Sequence, residues 1–194
     1  MNGLKTMFLA LFLMTSSMTM FAQEASSDPD IQYAADLLKT GTEAPDFVIS
    51  GIDSTYNQPL SRLRGQYVVL DFWASWCPDC RKDIPAVKIM FEKYGKGNVQ
   101  FVGISFDTNK LAWRNYIAKS GMKWLQHSEL KKWKRQTKID SDYHINWIPT
   151  YYLLNPEGKV VVATVQHEKI EAKLSELAAA GKLKSRATSH TEAD

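Results

Sequence analysis

Hydrophobic and polar positions alternate along the chain with periods that name its elements. Met7 to Met14 is a short apolar block, preceded by Lys5 and followed by Phe21-Ala22-Gln23. Gln23 to Asp30 is polar and reads as a flexible leader. Ile31 to Lys39 suits a short helix, with Asp30 as its cap and Gly41 as its stop. Phe47-Val48-Ile49 and the stretch around Gln58-Pro59-Leu60 read as short strands about a Gly/Asp/Asn turn region. Ser61 to Gly65 makes a single turn into Tyr67-Val68-Val69-Leu70-Asp71-Phe72-Trp73. That run is apolar on both faces apart from one acid, the pattern of a strand covered on both sides of a sheet. Ile84, Val87, Phe91 and Tyr94 then follow helical spacing over Arg81 to Tyr94, with Pro85 interrupting it. Val99 to Ser105 is a second doubly buried strand. Leu111 to Lys119 is a helix, with Asn109 as N-cap and Gly121 as stop. Thr150 to Leu154 and Lys159 to Val165 are strands joined by the turn Asn155-Pro156-Glu157-Gly158. Glu168 to Ala180 is an amphipathic helix with Ile170, Leu174 and Leu177 inward, closed by Gly181. Lys182 to Asp194 is polar and reads as a disordered tail.

The first block changes the picture of where the protein works. A positive start, a short apolar core and a small residue before a polar one make a secretory signal peptide over residues 1–22. The core is too short to span a bilayer. The alternative is an uncleaved membrane anchor, because Met20 occupies the −3 position where a small residue is usual. No cysteine follows the signal to take a lipid. The expected organisation is therefore signal peptide 1–22, leader and short helix 23–40, one folded domain 41–181 and a polar tail 182–194. The chain of 194 residues is long enough for one domain with a real core. Apolar residues make up 44% and charged residues 23%, ordinary for a globular protein. The formal net charge of +3 is too small and too evenly spread for a nucleic-acid partner. Lys131, Lys132, Lys134 and Arg135 cluster around Trp133; a solvated helix face is preferred over a surface for an acidic partner. His127, His144 and His167 are dispersed, in surface or capping positions rather than as ligands.

Candidate chemistry lies in the only two cysteines, Cys77 and Cys80. They follow an apolar strand and open a helix, the arrangement of the Cys-x-x-Cys redox motif. At a helix N-terminus, free backbone N–H groups and the helix dipole stabilise an anion. The Cys77 thiol is thereby lowered from its free pKa of about 8.5, and the thiolate is the nucleophile. Pro78 falls near the first helical position, where its missing N–H costs nothing. Cys80 lies about one turn on, within reach of a disulfide. A purely structural bridge would close so short a loop that it constrains the unfolded chain little. Half a zinc site lacks a second Cys-x-x-Cys or a His pair at ligand spacing. Outside the cytosol such a pair loses contact with the glutathione pool and depends on a dedicated partner.

Leu70 to Cys80 resembles the active-site segment of thioredoxin, and still more that of exported thiol:disulfide oxidoreductases of the TlpA/ResA type. Gly41-Thr42-Glu43-Ala44-Pro45-Asp46-Phe47 resembles the lead-in segment these proteins share with peroxiredoxins. Trp147-Ile148-Pro149-Thr150 resembles their cis-proline loop, and Asn155 to Val160 the hairpin after it. The resemblance spans about residues 41 to 180. It implies an α/β thioredoxin-like fold: a central mixed sheet flanked by helices, with an added N-terminal hairpin. It also implies a strand near Trp124, an exposed loop, and a short helix ending before Tyr143.

The activity implied is thiol–disulfide exchange on disulfide-containing or dithiol proteins, more as a reductase than an oxidase. Cys77 attacks and Cys80 resolves, with Asp71 as acceptor for the Cys80 proton. Many TlpA/ResA-type relatives carry a neutral residue at Asp71, which draws this chain toward thioredoxin. The bland alternative for Asp71 is a carboxylate hydrogen-bonded at a strand edge; buried and unpaired, it would be costly or neutral. Pro149 is expected in cis, with the Ile148 backbone pairing with substrate and Trp76 and Trp147 adding apolar contact. Pro78-Asp79 departs from the Gly-Pro of thioredoxin and the common Pro-Pro of its exported relatives. Asp79 is expected to raise the Cys77 pKa and make the pair more reducing, with Arg81 partly cancelling it. No cofactor beyond the disulfide and no metal are implied; the partners implied are a membrane-linked electron donor and protein clients of an exported, periplasmic or extracellular monomer.

Two other classes compete. A peroxiredoxin-like thiol peroxidase wants Thr or Ser three residues before its cysteine, where this chain has Ala74, with Ser75 out of register. A Sco-like copper-binding module needs Cys-x-x-x-Cys, one residue longer than the spacing here.

Overall fold

The structure is a computed structural model and describes residues 28–53, 55–134 and 136–183. The proposed signal peptide, and all of the polar tail except its first two residues, lie outside the described residues. Strand β1 (Val48–Ser50) pairs antiparallel with β2 (Asn57–Pro59), forming the expected hairpin. A turn of 3-10 helix (Leu60–Leu63) leads into β3 (Tyr67–Trp73), every residue of which is buried. The main sheet adds β4 (Val99–Ser105), β5 (Leu125–His127), β6 (Thr150–Leu154) and β7 (Val160–Thr164), in the order β5-β4-β3-β6-β7. Strands β3, β4 and β5 are parallel, while β6 runs antiparallel to β3 and β7 antiparallel to β6. This is the mixed sheet of the thioredoxin-like fold, flanked by helices. The central position of β3 explains its apolar run, broken only by Asp71, since helices and loops cover both of its faces.

Helix α1 (Pro29–Tyr33) is shorter and earlier than the expected Ile31 to Lys39. Asp28, not Asp30, caps it, and Pro29 takes the first helical position. Asp30 is used elsewhere: its carboxylate accepts from Thr164 Oγ1 and the Val165 N–H, each at 2.8 Å, and pairs with Lys169 at 2.6 Å. The polar leader is therefore tied down from residue 28 onward. The helix ends at Ala34, and Leu37 just beyond it is buried in the core.

Helix α2 (Pro78–Tyr94) buries Ile84, Val87, Met90 and Tyr94, with Phe91 half-buried beside Trp124 at 5.5 Å between ring centres. Pro85 lies inside it. Helix α3 (Lys110–Ser120) is capped by the Asn109 side-chain oxygen Oδ1, which accepts from the Leu111 and Ala112 N–H groups. Gly121 ends it with a left-handed φ of 65°, which glycine adopts without steric cost. Lys131, Lys132 and Lys134 lie on a loop before α4 (Lys138–Asp142), not on a helix face. Leu130 and Lys134 both have positive φ there, a backbone path that no helix follows. Thr137 and Asp140 close a capping box at the start of α4. Helix α5 (His167–Ala179) turns Ile170, Leu174 and Leu177 inward as its spacing predicts.

Candidate active site

Strand β3 delivers the chain through Ala74-Ser75-Trp76 to Cys77, the N-cap of α2. Cys77 and Cys80 are joined as a disulfide, with their Cα atoms 5.3 Å apart. Cys77 Sγ accepts the Cys80 N–H at 3.1 Å, one of the free amides at the start of the helix. Although it stands at the start of the helix, Cys77 is not open to solvent. Cys77 is 4% exposed and Cys80 1%, because the loop before β6 lies against them. The Ile148 carbonyl oxygen stands 3.7 Å from Cys77 Sγ, and the Ile148–Pro149 peptide is cis. Trp76, 48% exposed, meets solvent, as do Pro78 and Asp79 between the two cysteines. Trp147 is half-buried, stacked on Tyr33 of α1 at 4.2 Å between centroids.

The loop entering the helix is held from outside. Buried Asp107, just beyond β4, accepts the Ser75 N–H at 2.9 Å, the Ser75 hydroxyl at 2.6 Å and the Ser105 hydroxyl at 2.7 Å. Ser75 is thus committed to anchoring, and Ala74 leaves the position three before Cys77 without a hydroxyl. Sequence reasoning missed Asp107; an acid closing a buried strand was its one signal.

Asp71 lies within β3, 2% exposed, and its Oδ2 has no hydrogen-bond partner among the described residues. Burial first, and the nearby Asp83 charge second, push its carboxyl up to about 8. The strand-edge alternative falls away, since β3 is the centre of the sheet. Asp83 was not anticipated. It follows Cys80 by three residues, hence on the same face of α2, and that spacing was the available signal. Tyr151 Oη donates to Asp83 Oδ2 at 3.0 Å. Burial raises the Asp83 carboxyl, while the Tyr151 hydrogen bond opposes the rise. His167 Nε2 lies 3.9 Å from Asp83 Oδ1 and 3.4 Å from Glu168 Oε1, so this histidine is no isolated surface group. Buried His127 likewise accepts the Ser50 N–H on Nδ1 at 3.2 Å, tying the hairpin to β5.

Pro78 occupies the first turn of α2, as expected. Asp79 projects outward and meets Lys82 at 3.2 Å, so Lys82 rather than Arg81 is its cation. Among the described residues, no group of three or more His, Cys, Asp or Glu side chains is placed to hold a metal ion. Near the start of α2 stand a disulfide, a cis-proline loop and two carboxyls, Asp71 and Asp83, that burial pushes upward.

Known proteins resemble this chain in sequence and in fold. The family profile described as Thioredoxin-like matches residues 65–160. The thiol-disulfide oxidoreductase ResA of Bacillus cereus is 29% identical over 124 residues, covering 64% of this chain and 68% of that protein. A solved thiol-disulfide oxidoreductase from Bacteroides fragilis is 30% identical with a TM-score of 0.62, covering 70% of this chain and 99% of that one. The thioredoxin domain of a thiol-disulfide oxidoreductase from Bacteroides vulgatus is 25% identical with a TM-score of 0.64, covering 72% and 98%. With the Cys77–Cys80 disulfide capping a helix beside a cis-proline, the chain belongs to the thioredoxin-like thiol-disulfide oxidoreductases, related to ResA at moderate identity.

Proposed function

We propose that the protein is an exported reductase of protein disulfides, working outside the cytoplasm. In the reduced enzyme, Cys77 thiolate attacks one sulfur of a substrate disulfide. The substrate S–S bond breaks, a Cys77–substrate bond forms, and the released substrate sulfur takes a proton. Cys80 then passes its proton to Asp71 and attacks Cys77 Sγ. The Cys77–Cys80 bond forms and the second substrate thiolate leaves, so the substrate gains two electrons that the dithiol loses. A membrane-linked donor would restore the dithiol. The Ile148–Pro149 loop would receive an extended substrate segment as an added strand, with Trp76 and Trp147 flanking the reacting sulfurs.

The observation that carries this reading is Asp71, a carboxyl buried in the central strand with no hydrogen-bond partner on Oδ2 among the described residues, which burial pushes up to about 8. Such a group can exchange a proton with a thiol without a large pKa mismatch. The reducing direction follows from charge. Asp79, an acid inside the motif, disfavours the Cys77 thiolate and therefore the oxidising bias that a stabilised thiolate produces. Equilibration with a dithiothreitol couple measures this directly. The expected potential is about −250 mV or lower, and Asp79→Asn should move it upward. A wild-type value near the oxidising extreme of about −120 mV would make the protein an oxidase instead.

A further inference from the structure

Asp71 is not the only unpaired polar group on its face of the sheet. Gln126 is buried, and neither its Oε1 nor its Nε2 has a hydrogen-bond partner among the described residues. The strand register places the two in one row: Asp71 is paired with Gly103, and Gly103 with Gln126. Residues paired in this way point their side chains to the same face. Gly103 has no side chain, and the Gln126 amide leans into the space this leaves. A Cβ at position 103 would stand 2.9 Å from both Cδ and Nε2 of Gln126, and closer still to Oε1. The glutamine therefore bends along the row toward Asp71. Its backbone is fixed from the other side, where Tyr56 Oη accepts the Gln126 N–H and donates to the Gln126 carbonyl oxygen, each at 2.6 Å. Trp73, two residues on from Asp71 and so on the same face, also keeps an unpaired indole N–H.

Unpaired polar atoms in a protein interior are costly, and several in one row call for a shared purpose. We infer that Gln126 is a positioning residue for Asp71, reaching it across Gly103 directly or through one internal water. A primary amide serves both protonation states of a carboxyl: its oxygen accepts from the acid, and its nitrogen donates to the carboxylate. Gly103 is then the residue that keeps the row open. The other ionisable groups around Asp71 are Asp83 on α2 and Tyr151 on β6, and Asp83 is in turn faced by Asp79, His167 and Glu168. These are acidic apart from His167, which leaves Gln126 as the neutral donor on the opposite side of the row.

This inference rests on the reading of Asp71 as proton acceptor, and two readouts separate them. The first is the carbonyl stretch of protonated Asp71, isolated by subtracting the infrared spectrum of Asp71→Asn and followed against pH. The second is the pH profile of insulin reduction. Gln126→Leu removes both unpaired atoms from a buried site and should fold at least as well as wild type. It should shift the Asp71 band and raise its titration midpoint by about one pH unit, with the same upward shift in the activity profile. Gly103→Ala, which pushes the amide out of the row, should move both in the same direction. A band that stays in place in both variants overturns the inference, whatever happens to stability. A band that moves, beside an activity profile that even Asp71→Asn leaves unchanged, supports the contact and overturns the acceptor role.

Discussion

Asp71 is buried at the centre of the sheet with a carboxyl that keeps its proton to about pH 8, against 3.8 in its ordinary state. Below pH 4 the group is neutral in both folded and unfolded chains and burial costs little. Between pH 4 and 8 the unfolded chain releases a proton that the folded chain retains. Folding is then opposed more strongly as pH rises, by at most about 1.4 kcal/mol per pH unit. Above pH 8 the penalty levels off. Asp71→Asn removes this dependence. The oxidised variant should match wild type in urea unfolding near pH 4, exceed it increasingly from pH 5 to about 8, and keep a constant margin above that. A constant offset at every pH would mean that the mutation acts by packing alone. Asp71 stood out in the sequence because it interrupts an apolar run. Asp83 did not, because an acid on a helix is unremarkable until Tyr151 is brought to its side.

At the scale of elements, the doubly buried strands were legible to the residue: Tyr67–Trp73 and Val99–Ser105 are the strands their apolar runs predict. Helix α3 was legible from its caps, since Asn109 and Gly121 act within one turn of it. The loop between β3 and α2 was not, because its support comes from a different strand end. Asp107 offers the only side-chain bonds recorded for Ser75 among the described residues. Asp107→Ala would leave the Ser75 N–H and hydroxyl without their acceptor, a loss of about 1–3 kcal/mol. Urea unfolding of the oxidised protein should show that loss, with Asp107→Asn falling between the two. An Asp107→Ala protein as stable as wild type would show that the loop is held by its disulfide and β3 alone.

At the scale of the whole molecule, the segment from residue 28 to 37 is joined to the active-site rim. Lys169 bridges Asp28 and Asp30, each at 2.6 Å, and Tyr33 stacks on Trp147 next to the cis-proline. A helix of five residues does not persist unaided, so α1 exists through these contacts. Asp30→Ala should lower the melting temperature by a few degrees. It should also speed amide exchange in residues 28–37, while exchange in β3 and β4 stays at wild-type rates. Equal acceleration everywhere would mean that Asp30 supports the whole core rather than this segment.

The sequence by itself determined the redox pair, its place at a helix start, the strands, the turns and the caps. Those features depend on residues within about one helical turn of each other, or on burial so complete that polarity alone records it. Tertiary structure decided which distant side chains meet. Asp107 reaches Ser75, Tyr151 reaches Asp83 and Gln126 leans across Gly103 because strand order and register place them side by side. No local spacing encodes those meetings, since each partner's own segment would fold the same way without the other.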